Sequence, residues 1–136
     1  MSEGRGTDKP FQIFGHPSLP NTLYSFTPKP NAGAKNSKCF YQKCYGWNLS
    51  GTNKEVLKKL NNKIQLKYFI EAFKLFSGKD TFFLKNNFIN KLAGNDLFQQ
   101  QVKDGKTEIE IRKSWEPALS NFKKIRKKYL LYKDFE

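Results

Sequence analysis

The sequence predicts an α+β fold, a small mixed or antiparallel sheet from the N-terminal half packed by C-terminal helices. Two observations carry that expectation. Short aromatic stretches punctuated by glycine and proline crowd the first fifty or so residues, whereas apolar steps of three and four dominate from Leu66 onward. Strands that come first and helices that follow do not alternate as a doubly wound parallel sheet requires. At 136 residues the chain is most simply one domain, long enough to bury a core. Its hydrophobic fraction is 38% and its aromatic fraction 15%, a ring-rich composition opposed to disorder.

Taken in order, Met1–Pro10 shows no apolar periodicity and reads as an exposed, Gly-rich segment. Phe11, Ile13 and Phe14 read as a short strand ended by Gly15, His16 and Pro17. Leu23, Tyr24 and Phe26 read as a second, stopped by Pro28 and Pro30. A polar loop follows over residues 31–38. Tyr45, Trp47 and Leu49 then alternate with Cys44, Gly46 and Asn48 at strand spacing, with Gly46 as a candidate bulge.

The helices begin with Leu66, Phe69, Ile70, Phe73 and Phe76 on one face and Lys67, Glu71 and Lys74 as a charge ladder on another, with Gly78 as the stop. Phe82–Leu84 is a third strand or a buried connection. Phe88–Leu92 reads as a short helix ended by Gly94. Asn95 caps a helix through Lys103, with Leu97, Phe98 and Val102 inward and Gly105 at its end. Thr107 and Glu110 have the spacing of a capping box. Pro117 is tolerated in a first turn, and Ser114 is a good N-cap three residues before it. The spacing therefore predicts a short helix over Thr107–Lys113 and a longer one over Trp115–Lys128. Trp115, Leu119, Phe122, Ile125 and Tyr129 form its inward face, with Trp115 as a core anchor. Tyr129, Leu130, Leu131 and Tyr132 are too apolar for a frayed tail and are expected to dock on the core.

The formal charge of +13 attracts polyanions: nucleic acid, anionic lipid, or the carboxylates and phosphates of a cell wall. A lysine-biased solvated surface explains it equally. The arginines are only Arg5, Arg112 and Arg126, and no sequence motif of a nucleic-acid binder is present. No apolar run approaches a membrane span, and no signal peptide opens the chain. Cys39 and Cys44 are either a local pair or two free small hydrophobes, and two thiols without a histidine cluster make no zinc site. His16, the lone histidine, would have to carry any Ser–His–Asp or Cys–His chemistry. Asn48–Leu49–Ser50 matches a glycosylation sequon too short to carry a function. A freestanding glycosidase needs two carboxylates across a cleft, and the scattered acidic residues offer no pair, so no catalytic residue, cofactor or metal ligand is assigned. Tyr45 and Trp47 offer rings for a sugar or for the core.

Several segments nevertheless resemble a known family. Ile111–Arg112–x–Ser114–Trp115, Leu119–x–x–Phe122 and residues 126–132 resemble the C-terminal end of the NamZ-like exo-β-N-acetylmuramidases, glycoside hydrolases of peptidoglycan. Ser2–Glu3–Gly4–Arg5–Gly6–Thr7, then Pro10–Phe11 and Phe14–Gly15–His16–Pro17, are similar to the family's Ser–Glu–Gly–Arg–Gly–Thr segment and the Phe–Gly–Ala–Pro turn after it, with His16 where alanine is commoner. Phe26–Thr27–Pro28, Gly33–Ala34–Lys35–Asn36, Cys44–Tyr45–Gly46 and Leu92–Ala93–Gly94–Asn95–Asp96 continue the likeness along nearly the whole chain.

The resemblance implies a two-domain design in which an N-terminal Rossmann-like domain carries the catalytic carboxylates and a smaller C-terminal domain closes the cleft. On that reading residues 1–10 are a junction segment and residues 11–136 the auxiliary α+β domain. The Rossmann-like domain is then absent or a separate chain, and the chain alone is inactive. The implied substrate is the non-reducing-end N-acetylmuramic acid of peptidoglycan fragments. Glu3 and Arg5 are the candidate substrate-binding residues, the Arg5 guanidinium forking onto the lactyl carboxylate with glycine on either side of it. An interdomain ion pair, or an N-cap arrangement with no ligand, is the competing role for them. The family is exported or of the cell envelope, while the chain as encoded, lacking an address, is expected to stay cytoplasmic. The alternative is a stand-alone basic module for anionic cell-wall polymer or nucleic acid.

Overall fold

The computed structural model describes residues 1–134, and contacts divide it into two units, Met1–Asn87 and Phe88–Glu136. The first unit is built on a three-stranded antiparallel sheet of β1 (Ile13–His16), β2 (Tyr24–Phe26) and β3 (Cys44–Asn48) in the order β1-β3-β2. With the helices described below, this is the α+β class expected. Phe14 lies opposite Trp47 and His16 opposite Tyr45, which gathers four rings on one face. Phe14 and Trp47 stack at 4.9 Å between centroids.

Gly46 is no bulge, because the register runs unbroken through it, with Gly15 directly opposite. Gly15 spends its N–H and C=O on Ser2, at 3.0 and 2.7 Å, so its pairing with Gly46 is the narrow, non-hydrogen-bonded kind. A side chain at Gly46 would overlap the Phe14 carbonyl oxygen and crowd the Gly15 Cα. Two glycines stand there because the two backbones do.

Helix α1 (Asn53–Leu60) was not expected from the sequence. It starts at a full capping box in which the Thr52 N–H donates to the Glu55 carboxylate at 2.7 Å and the Glu55 N–H to the Thr52 hydroxyl at 3.4 Å. Helix α2 (Lys67–Leu75) matches the expected stripe, with Ile70 and Phe73 buried on it and Leu66 and Phe76 buried at its ends. Its flanks cover the aromatic face of the sheet: Tyr68 meets Phe14 edge-on at 6.4 Å, and Phe76 lies 4.8 Å from His16. Gly78 does not stop α2, which ends at an extended Phe76; it precedes the one-turn helix α3 (Lys79–Phe82) instead. Phe82–Leu84 is neither a strand nor a buried connection: Phe82 ends α3, Leu84 is exposed, and half-buried Phe82 and Phe83 close edge and tilted ring contacts on Phe73 at 5.3 and 5.5 Å.

The second unit holds α4 (Phe88–Ala93), α5 (Leu97–Lys103), α6 (Glu108–Arg126) and a closing 3-10 turn over Lys127–Tyr129. Gly94 and Gly105 adopt φ of +71° and +74° at the helix ends, where the left-handed conformation suits glycine. The N-cap of α5 is Asp96, without a side-chain bond of its own, and Asn95 one residue earlier supplies the expected cap, its side-chain oxygen accepting the Phe98 N–H at 3.0 Å. Phe98, Gln99 and Val102 turn inward while Leu97 is exposed, a correction to the expected inward set.

Helix α6 is one helix where two were expected. The Thr107–Glu110 capping box is formed, but Pro117 lies inside the helix. Ser114 caps nothing; its hydroxyl donates back to the Ile111 carbonyl at 2.7 Å and accepts from Gln101 at 2.9 Å. Proline deletes one intrahelical bond, and the turns on either side carry the helix across it. The expected inward face fails as well. Ile111 is fully buried and Trp115 half-buried, 6.4 Å from Phe98 between ring centroids. Leu119, Phe122, Ile125 and Tyr129 are exposed. Leu131 and Tyr132, expected to dock on the core, are 91% and 86% exposed. Among the described residues the apolar stripe stands without cover. No helix among them is long and apolar enough to cross a membrane.

Candidate functional site

Ser2, Gly4 and Gly6 are buried, so the first ten residues are not the exposed segment expected. Ser2 adds a bridge to the free edge of β1 at Gly15, and its hydroxyl accepts the Gly4 N–H at 3.3 Å. The Thr7 hydroxyl donates to the Gly4 carbonyl at 2.6 Å and closes the turn. The Lys29 N–H donates to the Gly6 carbonyl at 2.8 Å, and a Cβ at Gly6 would stand 2.6 Å from the Lys29 carbonyl oxygen. Gly6 also has φ +83°. Both constraints require glycine there. Arg5, between two packed glycines, is the residue of this turn that reaches solvent.

Opposite Arg5 lies a second tight turn. Asn31 and Ala34 exchange backbone hydrogen bonds at 3.1 and 3.3 Å, and the Gly33 carbonyl between them accepts one guanidinium N–H of Arg5 at 3.4 Å. Between the two turns is an open cleft of about 480 Å³ whose lining includes Arg5, Thr7, Pro10, Phe11 and Asn31. A guanidinium carries five N–H donors. The single long bond to Gly33 orients that of Arg5 and leaves donors for an anion in the cleft.

The sequence-predicted pair separates. Arg5 lines the cleft and Glu3 does not. Glu3 acts there through its backbone, its carbonyl accepting the Phe11 N–H at 2.8 Å. The sequence reading placed Phe11 in the first strand and residues 31–38 in a polar loop. Phe11 instead precedes β1 at φ +62°, and the Asn31–Ala34 turn of that loop forms the second wall.

The other candidates lie outside this cleft. His16 accepts the Ser18 N–H on Nδ1 at 3.1 Å and packs on Phe76, and burial lowers its pKa. Its ring caps the local backbone, the role the Ser18 hydrogen bond and the Phe76 contact describe. Trp47 is engaged in the stack on Phe14, which favours its core role. A more apolar groove of about 680 Å³ flanks α1, its lining including Phe14, Leu49, Leu57, Ile64 and Tyr68 with Lys63 as the one charged residue among them. The carboxylates with defined partners are structural: Glu55 and Glu110 in capping boxes, Glu108 on Arg112 at 2.7 Å, Asp134 on Arg126 at 2.9 Å, and Asp104, which accepts from the Gln100 amide at 2.7 Å. Among the described residues no cluster of histidine, cysteine and carboxylate could hold a metal ion.

Cys39 and Cys44 are free thiols. Cys44 is fully buried, and burial followed by the neighbouring Cys39 pushes its pKa up to about 12. Only the thiolate alkylates. At pH 8, iodoacetamide should therefore modify Cys39 alone in the folded chain and both thiols in urea, as mass spectrometry of the peptides would show. Equal labelling in the folded state would contradict this burial.

The family described as "Exo-beta-N-acetylmuramidase NamZ, C-terminal" matches residues 1–132. The peptidoglycan β-N-acetylmuramidase NamZ of Bacillus subtilis is 29% identical over 97% of this chain, which covers 34% of that protein. The crystal structure of a DUF1343 family protein from Bacteroides fragilis superposes with a TM-score of 0.83 at 40% identity, covering 98% of this chain and 36% of that one. The chain spans about a third of the length of these relatives. It belongs to the NamZ C-terminal family.

Proposed function

From that membership we propose that the chain is the C-terminal auxiliary part of an exo-β-N-acetylmuramidase acting on the non-reducing ends of peptidoglycan fragments. The catalytic carboxylates would come from the two-thirds of such enzymes that this chain does not match. The match over residues 1–132 carries the reading, and the cleft supports it with a binding role. Arg5 would hold the lactyl carboxylate that distinguishes N-acetylmuramic acid from N-acetylglucosamine, a planar fork meeting a planar anion. Glu3 contributes by fixing the backbone of the same wall.

The test is a chimera in which this chain replaces the matched third of the Bacillus subtilis relative. Charge-assisted hydrogen bonds are worth about 1.5–3 kcal/mol. Arg5→Ala should therefore raise KM for a muramyl-terminated disaccharide on the order of 10- to 100-fold. Binding shared equally by ground state and transition state leaves kcat nearly unchanged. An unaltered KM would remove Arg5 from the substrate site and leave its bond to Gly33 as its role.

A further inference from the structure

We propose that Phe11 is the aromatic platform of the Arg5 cleft, receiving the apolar face of a pyranose ring while Arg5 engages the sugar's carboxylate. The carboxylate half of this proposal rests on the reading of Arg5 given above; the platform half rests on Phe11 itself.

Phe11 is held at φ +62° and is 75% exposed. A bulky residue in the left-handed region is a genuine outlier that glycine or asparagine would occupy more easily. Strain of that kind is ordinarily offset by packing, and a ring this exposed gains little from burial. Folding therefore gives no account of why phenylalanine stands here. The backbone around it is nonetheless firmly determined: the Phe11 N–H donates to the Glu3 carbonyl at 2.8 Å and the Gln12 N–H to the Lys9 carbonyl at 3.2 Å. Strained residues fixed by their surroundings cluster at binding sites.

Location decides the matter. Tyr41 is also exposed at positive φ, 72% and +58°, but it does not line the cleft, whereas Phe11 shares the lining with Arg5. An aromatic face beside a cationic fork matches a ligand with one apolar face and one carboxylate. Pyranoses present an apolar C–H face, and an acidic sugar adds the anion. Sequence reasoning offered Tyr45 and Trp47 as rings for a sugar or, in preference, for the core; the structure stacks Trp47 on Phe14 and leaves Phe11 available.

The experiment titrates the isotope-labelled chain with N-acetylmuramic acid and, separately, N-acetylglucosamine, following backbone amides by NMR. Phe11→Gly should weaken both sugars about three- to tenfold, the range an aromatic contact supplies. Its urea midpoint should be equal or higher, because glycine relaxes the backbone. Phe11→Leu, which keeps bulk without the ring, should weaken both sugars as well. Arg5→Ala should weaken N-acetylmuramic acid alone. If Phe11→Gly binds both sugars like the parent chain, the platform is overturned while the Arg5 reading stands. If the Phe11 variants weaken both and Arg5→Ala changes neither, the platform stands and the Arg5 reading fails. A clear loss of stability in Phe11→Gly makes Phe11 a packing residue and overturns the proposal. No shift of the residue 4–11 amides with either sugar overturns platform and Arg5 reading together.

Discussion

Gly46→Ala is expected to destabilise the first unit by about 3 kcal/mol or more, at and beyond the upper end of what overpacking ordinarily produces. The added methyl would meet backbone, the Phe14 carbonyl oxygen and the Gly15 Cα, and not the flexible tip of a side chain. To admit it, β1 must move away from β3 at their closest approach, and the Phe14–Trp47 stack moves with it. Small domains hold only about 5–15 kcal/mol in total, so much of the population should be unfolded at modest urea. Gly33→Ala is the control. Its methyl would find only the Asn31 side-chain oxygen, 3.8 Å away, and should change stability by less than about 0.5 kcal/mol. Urea melts of the two variants, followed by tryptophan fluorescence, give the comparison. Similar midpoints would mean that the strands pair less closely than the register indicates.

The sheet was legible because its signals are local. Alternation at Cys44–Asn48 and the punctuating prolines mark strands without knowledge of what they pair with. Gly46 was misread for a related reason: a glycine inside a strand signals close backbone approach or a bulge, and sequence does not distinguish them. The approaching chain was Gly15, thirty-one positions away. Helix α1 was overlooked although Thr52 and Glu55 carry the same capping-box spacing that located α6. Its body buries no residue, so the apolar stripe that drew attention elsewhere gave no signal there.

Helix α6 shows the converse. Its period correctly marks which face is apolar, from Trp115 through Tyr129, but period says nothing of what covers that face. Leu119, Phe122 and Ile125 remain exposed in this chain. Pro117 was given more weight than one lost hydrogen bond warrants.

Of the candidate site, Arg5 was legible because glycines flank it, and a cation between two residues without side chains has little to pack against. Phe11 was not, since neither φ nor exposure is written in a single aromatic between a proline and a glutamine. Glu3 was chosen for its carboxylate and acts in the cleft's wall through its carbonyl.

The measurement that bears most directly on the account is release of N-acetylmuramic acid from a muramyl–glucosaminyl disaccharide. Hydrolysis of a glycoside requires an acid and a second carboxylate set across the scissile bond, about 5–9.5 Å apart depending on stereochemistry. The partnered carboxylates are tied to caps, to arginines and, for Asp104, to the Gln100 amide, and the lining of the Arg5 cleft holds a cation and a ring but no carboxylate. The chain assayed alone should therefore release nothing above the uncatalysed background. The chimera that joins it to the unmatched two-thirds of the Bacillus subtilis relative should turn over at a rate comparable to that relative, a gain of many orders of magnitude. Turnover by the isolated chain, abolished by changing one of its own aspartates or glutamates, would contradict the assignment of catalysis to the region of the relatives that this chain does not match. A folded chimera with no activity would contradict the auxiliary role itself.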